Sequence, residues 1–304
     1  MVLTSGRWSG PVHTPQKRPE SLRPIRWLHV PKAGSAFINV AARFGCPELR
    51  QSNHTFNMAV EFTAWIDKER DGRECPRLAA PWNGHAPIRP AELQPPAMVR
   101  LVAMFRRPSQ RLLSGFHHAE GGKVDMMIAP GMPAARREQM RRASRDDPAA
   151  YARWPGIAGC VAKMLIGRQC ASERSLTDTD VAHAVFLVRE RFAFVGLLES
   201  WETSVCVFHA LLSPRTAIHP AELVVTHVGI HSPTLRKSNG SLVALAEWDE
   251  RHLRGFADVD DERVYAAARR RFVADARRTH CARPCPGEAM GVCVGARKIT
   301  DRRQ

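Results

Sequence analysis

A lysine, a glycine and a serine stand together in Pro31-Lys32-Ala33-Gly34-Ser35, and these residue types suit an oxyanion. Lys32 brings a full positive charge, Gly34 lets backbone approach a ligand closely, and Ser35 offers a hydroxyl. Apolar Ile25, Trp27, Leu28 and Val30 precede the turn. Phe37, Ile38, Val40, Ala41 and Phe44 follow it at helical spacing, so the turn joins a strand to a helix start. The unpaired N–H groups of a helix N-terminus attract anions, and phosphate and sulfate both fit. The triphosphate pattern G-x-x-x-x-G-K-[ST] is absent, as is G-x-G-x-x-G with a trailing acid. Alone, the stretch reads equally as an anion site or as an ordinary strand-to-helix turn with a surface lysine.

A second stretch, Met98 to Phe116, repeats the arrangement. The run Val99, Leu101, Val102, Met104, Phe105 reads as a strand and ends in Arg106-Arg107-Pro108. Pro108 suits the first turn of a helix, where its missing N–H costs nothing. Arg106 and Arg111 flank that turn, Ser114 lies further along the helix, and arginine's fork of donors suits phosphate oxygens. Two cationic strand ends imply a ligand with two separated anionic groups.

The pair HVPKAGSAF and FRRPSQRLLSGF resembles the two nucleotide loops of the sulfotransferases that use 3′-phosphoadenosine 5′-phosphosulfate (PAPS). It is most similar to the Golgi carbohydrate branch that includes the heparan sulfate 2-O- and 6-O-sulfotransferases. There the first loop reads roughly H-[IV]-P-K-T-G-G-T-S and holds the 5′-phosphosulfate; the second reads roughly L-R-[DE]-P-x-x-R-x-x-S and holds the 3′-phosphate. The resemblance implies that Lys32, Gly34 and Ser35 meet the phosphosulfate, that Arg106 and Ser114 meet the 3′-phosphate, and that Arg111 supports them. It also implies a three-layer α/β/α fold with a central parallel sheet, like that of the P-loop nucleotide kinases, and a reaction without a metal. Ala33, Ala36 and Phe37 depart from the family's Thr, Thr and Ser, which removes hydroxyl donors, and Arg107 replaces an acid.

Gly84-His85 precedes the second strand where the family carries a G-H element with its catalytic histidine. Sulfuryl transfer needs a base for the acceptor hydroxyl, and a histidine that titrates near neutrality suits that task. His85 is therefore the expected base and Lys32 the residue that stabilises charge on the leaving oxygen. His117 and His118 rank below His85. Trp82 reads as a sugar-stacking residue or, more plainly, as packing. Phe192-Ala-Phe-Val-Gly-Leu-Leu-Glu199 resembles the family's F-V-G-L-x-E strand, and the stretch from His227 to Lys237, with Ser232, resembles its nucleotide-closing loop.

The positioning elements follow from pattern. The chain has 304 residues, 44% of them hydrophobic, enough for a substantial core. Residues 1–24, rich in Pro, Ser, Arg and Gly, read as a lead-in; 25–279 as the sulfotransferase-like domain; 280–304 as a basic cysteine-containing tail. Helices are expected over Phe56 to Lys68, Ile157 to Ile166, Asp178 to Arg189, Ser200 to Leu212 and Asp258 to Arg278. Residues 120–156 read as a basic insertion whose Arg136, Arg137, Arg141, Arg142 and Arg145 meet an anionic acceptor or form a solvated face.

A formal charge of +15 favours a polyanionic partner, which fits a nucleotide, a sulfated glycan or a nucleic acid alike. The resemblance selects a glycan acceptor, anionic or neutral, over nucleic acid, and a Golgi lumen setting. No apolar run of about 18 residues and no signal-like h-region occurs, so no membrane span is expected. Eight cysteines and the sequons Asn53-His54-Thr55 and Asn239-Gly240-Ser241 favour a lumenal chain with disulfides. The tail's Cys281, Cys285 and Cys293 lack zinc spacing. Two alternatives stand beside the enzyme: a non-catalytic polyanion binder on the same fold, kept open by the altered first loop, and a nucleotide-dependent kinase, disfavoured by the missing GK[ST].

Overall fold

The computed structural model describes residues 23–81, 84–94, 99–118, 132–225 and 247–281. The expectations for Trp82, Ser232, Lys237, Asn239, Cys285 and Cys293 lie outside these residues.

Among the described residues three short parallel strands form the sheet in the order β1 (Ile25–Leu28), β2 (Arg100–Phe105), β3 (Phe192–Leu197). Ile25 pairs with Arg100 and Leu28 with Ala103; Leu101 pairs with Phe192 and Phe105 with Leu197. Buried parallel strands read as continuous apolar runs rather than alternating ones, which is why both motif strands were legible. The outer edge of β1 carries a further parallel bridge to Leu78, with Ile25 N–H donating to the Arg77 carbonyl at 2.9 Å. That edge segment falls where the sequence suggests only irregular chain. The Cys46–Cys75 disulfide ties it to the end of the first helix.

The helices are α1 (Ile38–Gly45), α2 (Ala59–Glu69), α3 (Pro90–Leu93), α4 (Pro108–His118), α5 (Ala134–Ala143), α6 (Pro148–Arg153), α7 (Cys160–Leu165), α8 (Asp178–Glu190), α9 (Trp201–Leu212) and α10 (Val259–Arg278). The chain is thus a mixed α/β protein in which helix predominates. The helix expected from Ile157 begins only at Cys160, because Gly159 turns left-handed (φ 66°) just before it. A single apolar cluster runs from Ile25 to Ala276. Phe37, fully buried, stacks on Phe194 of β3 at 5.6 Å and meets the edge of Phe208 on α9 at 5.4 Å. Such aromatic pairs add to simple burial.

Two further disulfides, Cys160–Cys170 and Cys206–Cys281, fasten α7 and the end of α10. The described part of the basic insertion is more than a solvated face. Met132, Met140, Ala149, Tyr151 and Ala152 are buried, while Arg136 pairs with Glu173 and both Arg141 and Arg142 pair with Glu138.

Candidate functional site at the strand ends

β1 stops at Leu28, and the chain then turns sharply through Lys32 (φ 63°) and Gly34 (φ 107°) into a short 3-10 turn, Ser35–Phe37, that leads into α1. Only glycine suits position 34. A Cβ there would need a left-handed backbone and would sit 3.3 Å from Leu198 Cδ1 and 3.7 Å from Met104 Cβ. The turn is therefore pressed against the ends of β2 and β3, where the second motif begins.

Arg106 leaves the end of β2 and donates from Nη1 to the Lys32 carbonyl at 3.3 Å. The Lys32 ammonium is pushed down to about 8, first by burial and then by Arg106. Burial likewise lowers Arg106 to about 10, against the pull of Glu199. Among the described residues neither cation makes an ion pair. Two half-buried cations held together raise each other's free energy, and a bound anion would lower it.

His85 completes the group. Its ring lies 4.3 Å from that of His29, and its Nδ1 donates to the His29 carbonyl at 2.8 Å. Because the carbonyl only accepts, Nδ1 carries the hydrogen of the neutral ring, and Nε2 keeps a lone pair. Burial is the main cause that brings His85 down to about 4, with Lys32 adding to it, so the ring is neutral at pH 7 but lies below the near-neutral value expected of the base from the sequence. His29 Nε2 is 2.9 Å from Ser35 Oγ, so one residue touches both the turn's hydroxyl and the candidate base.

The loop that carries His85 is held from behind. Arg26, buried inside β1, donates to Glu92 at 3.1 Å and to the Ala86 carbonyl at 3.3 Å, while Ile88 N–H reaches the Met164 carbonyl at 3.0 Å. Sequence reasoning missed Arg26, Glu92 and His29. A lone arginine within an apolar strand was the available signal for the first two, since such a charge is buried only with a partner.

The second motif divides. Arg106 joins Lys32, but Arg111 does not. Its guanidinium is buried against Asp258 and Asp261, and Nη2 also donates to the Ile157 carbonyl, so its charge is met inside the fold rather than by a ligand. Arg107 pairs with Glu247 and Glu250, and its backbone N–H donates to Glu199 at 2.6 Å, an acidic cap on the start of α4. Ser114 is half-buried on the α4 stripe that also holds Gln110 and His117. Gln110 bonds the Trp248 backbone and His117 stacks on the Trp248 ring at 3.8 Å, which leaves His117 a packing role. Beside this motif opens a cleft of about 620 Å³ lined by Arg107, Ser109, Glu199, Glu250, Tyr265 and Arg269.

The departures in the first loop have a structural cause. Ala33, Ala36 and Phe37 are all buried, so these positions face the core and not the turn's open side. No known protein family, no curated protein and no solved structure matches the chain.

Proposed function

We propose that the chain is a sulfotransferase that moves a sulfuryl group from PAPS to a carbohydrate hydroxyl, on a sheet arranged like that of the P-loop nucleotide kinases. One observation carries this reading: two half-buried cations that make no ion pair among the described residues, Lys32 and Arg106, lie beside a neutral histidine whose free nitrogen is fixed as Nε2. That combination suits an anionic donor and a proton acceptor in one place, which a pure anion binder does not need.

The residues fit the donor by charge. Lys32 and Arg106 supply positive charge at adjacent strand ends, and Gly34 lets the turn pack closely enough on the sheet to bring them together. When bound, PAPS supplies the sulfuryl group for in-line transfer to the acceptor oxygen. His85 Nε2 takes the proton of the acceptor hydroxyl, and the His29 carbonyl stabilises the resulting imidazolium through Nδ1. Lys32 Nζ stabilises negative charge that builds on the leaving oxygen. Ser35 Oγ, 2.9 Å from His29 Nε2, adds a hydroxyl to the same turn. Arg106 holds the second anionic group, with Ser114 as a further donor on α4 and without Arg111.

Three disulfides fit a lumenal or secreted setting, and among the described residues no helix is long and apolar enough to cross a membrane. The Golgi lumen is the setting proposed here. The test is calorimetric titration with 3′-phosphoadenosine 5′-phosphate (PAP), followed by transfer of labelled sulfate from PAPS onto a panel of glycans. Saturable binding, with turnover abolished by His85→Ala, is expected. Salt-sensitive glycan binding without PAP binding or turnover would instead establish the polyanion binder.

A further inference from the structure

The first sequon of the chain lies in a segment whose geometry is unusually clear. Residues 52–56 connect the end of α1 to α2, and Arg43 of α1 fastens them from inside by donating to the Ser52 carbonyl at 2.9 Å and the His54 carbonyl at 2.5 Å. Phe56 anchors the far end. It is buried, its N–H donates to Asn39 Oδ1 at 2.8 Å, and Asn39 Nδ2 returns a bond of 2.8 Å to its carbonyl. Asn53, His54 and Thr55 between these anchors are exposed and belong to no helix or strand. Neither the Asn53 amide nor the Thr55 hydroxyl has a partner among the described residues.

We infer that Asn53 is an N-glycosylation site. The reaction needs Asn-x-Ser/Thr with a non-proline centre, an accessible side-chain amide and a free hydroxyl two residues on, and Asn53-His54-Thr55 meets each condition. The three disulfides supply an independent argument, because they fit the oxidising compartments where this modification occurs. In the step itself the co-reactant is an oligosaccharide linked to a polyprenyl pyrophosphate. Asn53 Nδ2 bonds to the anomeric carbon, the bond from that carbon to the pyrophosphate oxygen breaks, Nδ2 gives up one proton, and the lipid pyrophosphate leaves. No oxidant or reductant enters.

The site is independent of the sulfotransferase reading. Arg43, which holds the residues on either side of Asn53, sits near the C-terminal end of α1, whereas the Lys32–Ser35 turn precedes its N-terminal end.

The experiment is peptide mapping of the full chain expressed behind a cleavable secretion leader in a eukaryotic host, taken from the membrane-enclosed fraction so that efficient secretion is not required. Glycosidase treatment in heavy-oxygen water should convert Asn53 to isotopically marked Asp. The mark should vanish in Asn53→Gln and Thr55→Ala and persist in Thr55→Ser and in Asn239→Gln. An unmodified Asn53 peptide from disulfide-bonded protein overturns the inference, as does a glycan confined to Asn239.

Discussion

Arg106 and Arg111 come from the same short stretch, yet the fold treats them in opposite ways. Arg106 stands beside another cation and, although it feels the charge of Glu199, makes no ion pair among the described residues. Arg111 is enclosed by two carboxylates that themselves accept backbone N–H groups: Asp258 from Gly159 at 3.0 Å, and Asp261 from Val161 at 3.1 Å and Ala162 at 2.9 Å. Burial and Asp258 together push Asp261 up to about 7, a sign of how much charge is packed there. The first arrangement leaves positive charge unspent at a turn. The second sets one arginine of α4 between two carboxylates and staples α4 and α10 to the start of α7. A structural charge is satisfied inside the protein, whereas a binding charge is left for something outside it.

Arg111→Met breaks this contrast most strongly. It strands two buried carboxylates, and removal of one partner from such a network costs about 3–5 kcal/mol. Chemical denaturation followed by far-UV circular dichroism should show that loss, and a midpoint equal to wild type would refute the staple. Arg106→Ala is the matched control. It relieves repulsion on Lys32, so the denaturation midpoint should not fall. PAP binding should weaken by about 1.5–3 kcal/mol, the worth of a hydrogen bond to a charged group. A variant that loses stability but keeps PAP affinity would reverse the roles assigned to the two arginines.

The same pair shows what the sequence could reveal. The strand-turn-helix units were legible because buried parallel strands are apolar throughout and the helices keep a clear period, as in β2 with α4 and β3 with α9. Lys32, Gly34 and Arg106 were legible because they stand at strand ends, where sequence position alone decides that they meet. Arg111 was misjudged because its partners, Asp258 and Asp261, come from the other end of the chain, and local spacing carries no signal of them. Phe37 was read as a missing hydroxyl, but it serves the core, since Phe194 and Phe208 wait for it there. His29 escaped for a different reason. It acts on His85 through its backbone carbonyl, a group every residue type carries.

The unspent charge at the turn also predicts a pH dependence. Lys32 is held down to about 8, and an anion beside it must raise that value toward the ordinary 10.5. A ligand that raises a group's pKa binds the protonated form better. PAP affinity should therefore be level below about pH 7 and fall above about pH 8, by at most about 1.4 kcal/mol per pH unit. Calorimetry across that range is the check. Lys32→Arg keeps the charge at every pH tested and should abolish the alkaline fall. A fall that survives in the arginine variant would assign it to another group.

The smallest expected effect concerns His85. Its depression to about 4 arises mainly from burial, with Lys32 contributing, and the hydrogen bond to the His29 carbonyl works the other way. A bound anion cancels the Lys32 contribution but not the burial, so PAP should raise the His85 value by a fraction of the distance to 6.5 and leave the ring neutral at pH 7. Nitrogen chemical shifts of the imidazole, followed during acid titration with and without PAP, report both quantities: the midpoint, and which nitrogen carries the hydrogen. The neutral form should show Nδ1 protonated in both states. A hydrogen on Nε2 would remove the lone pair that the proposed base requires, and the carbonyl of His29 could no longer orient it.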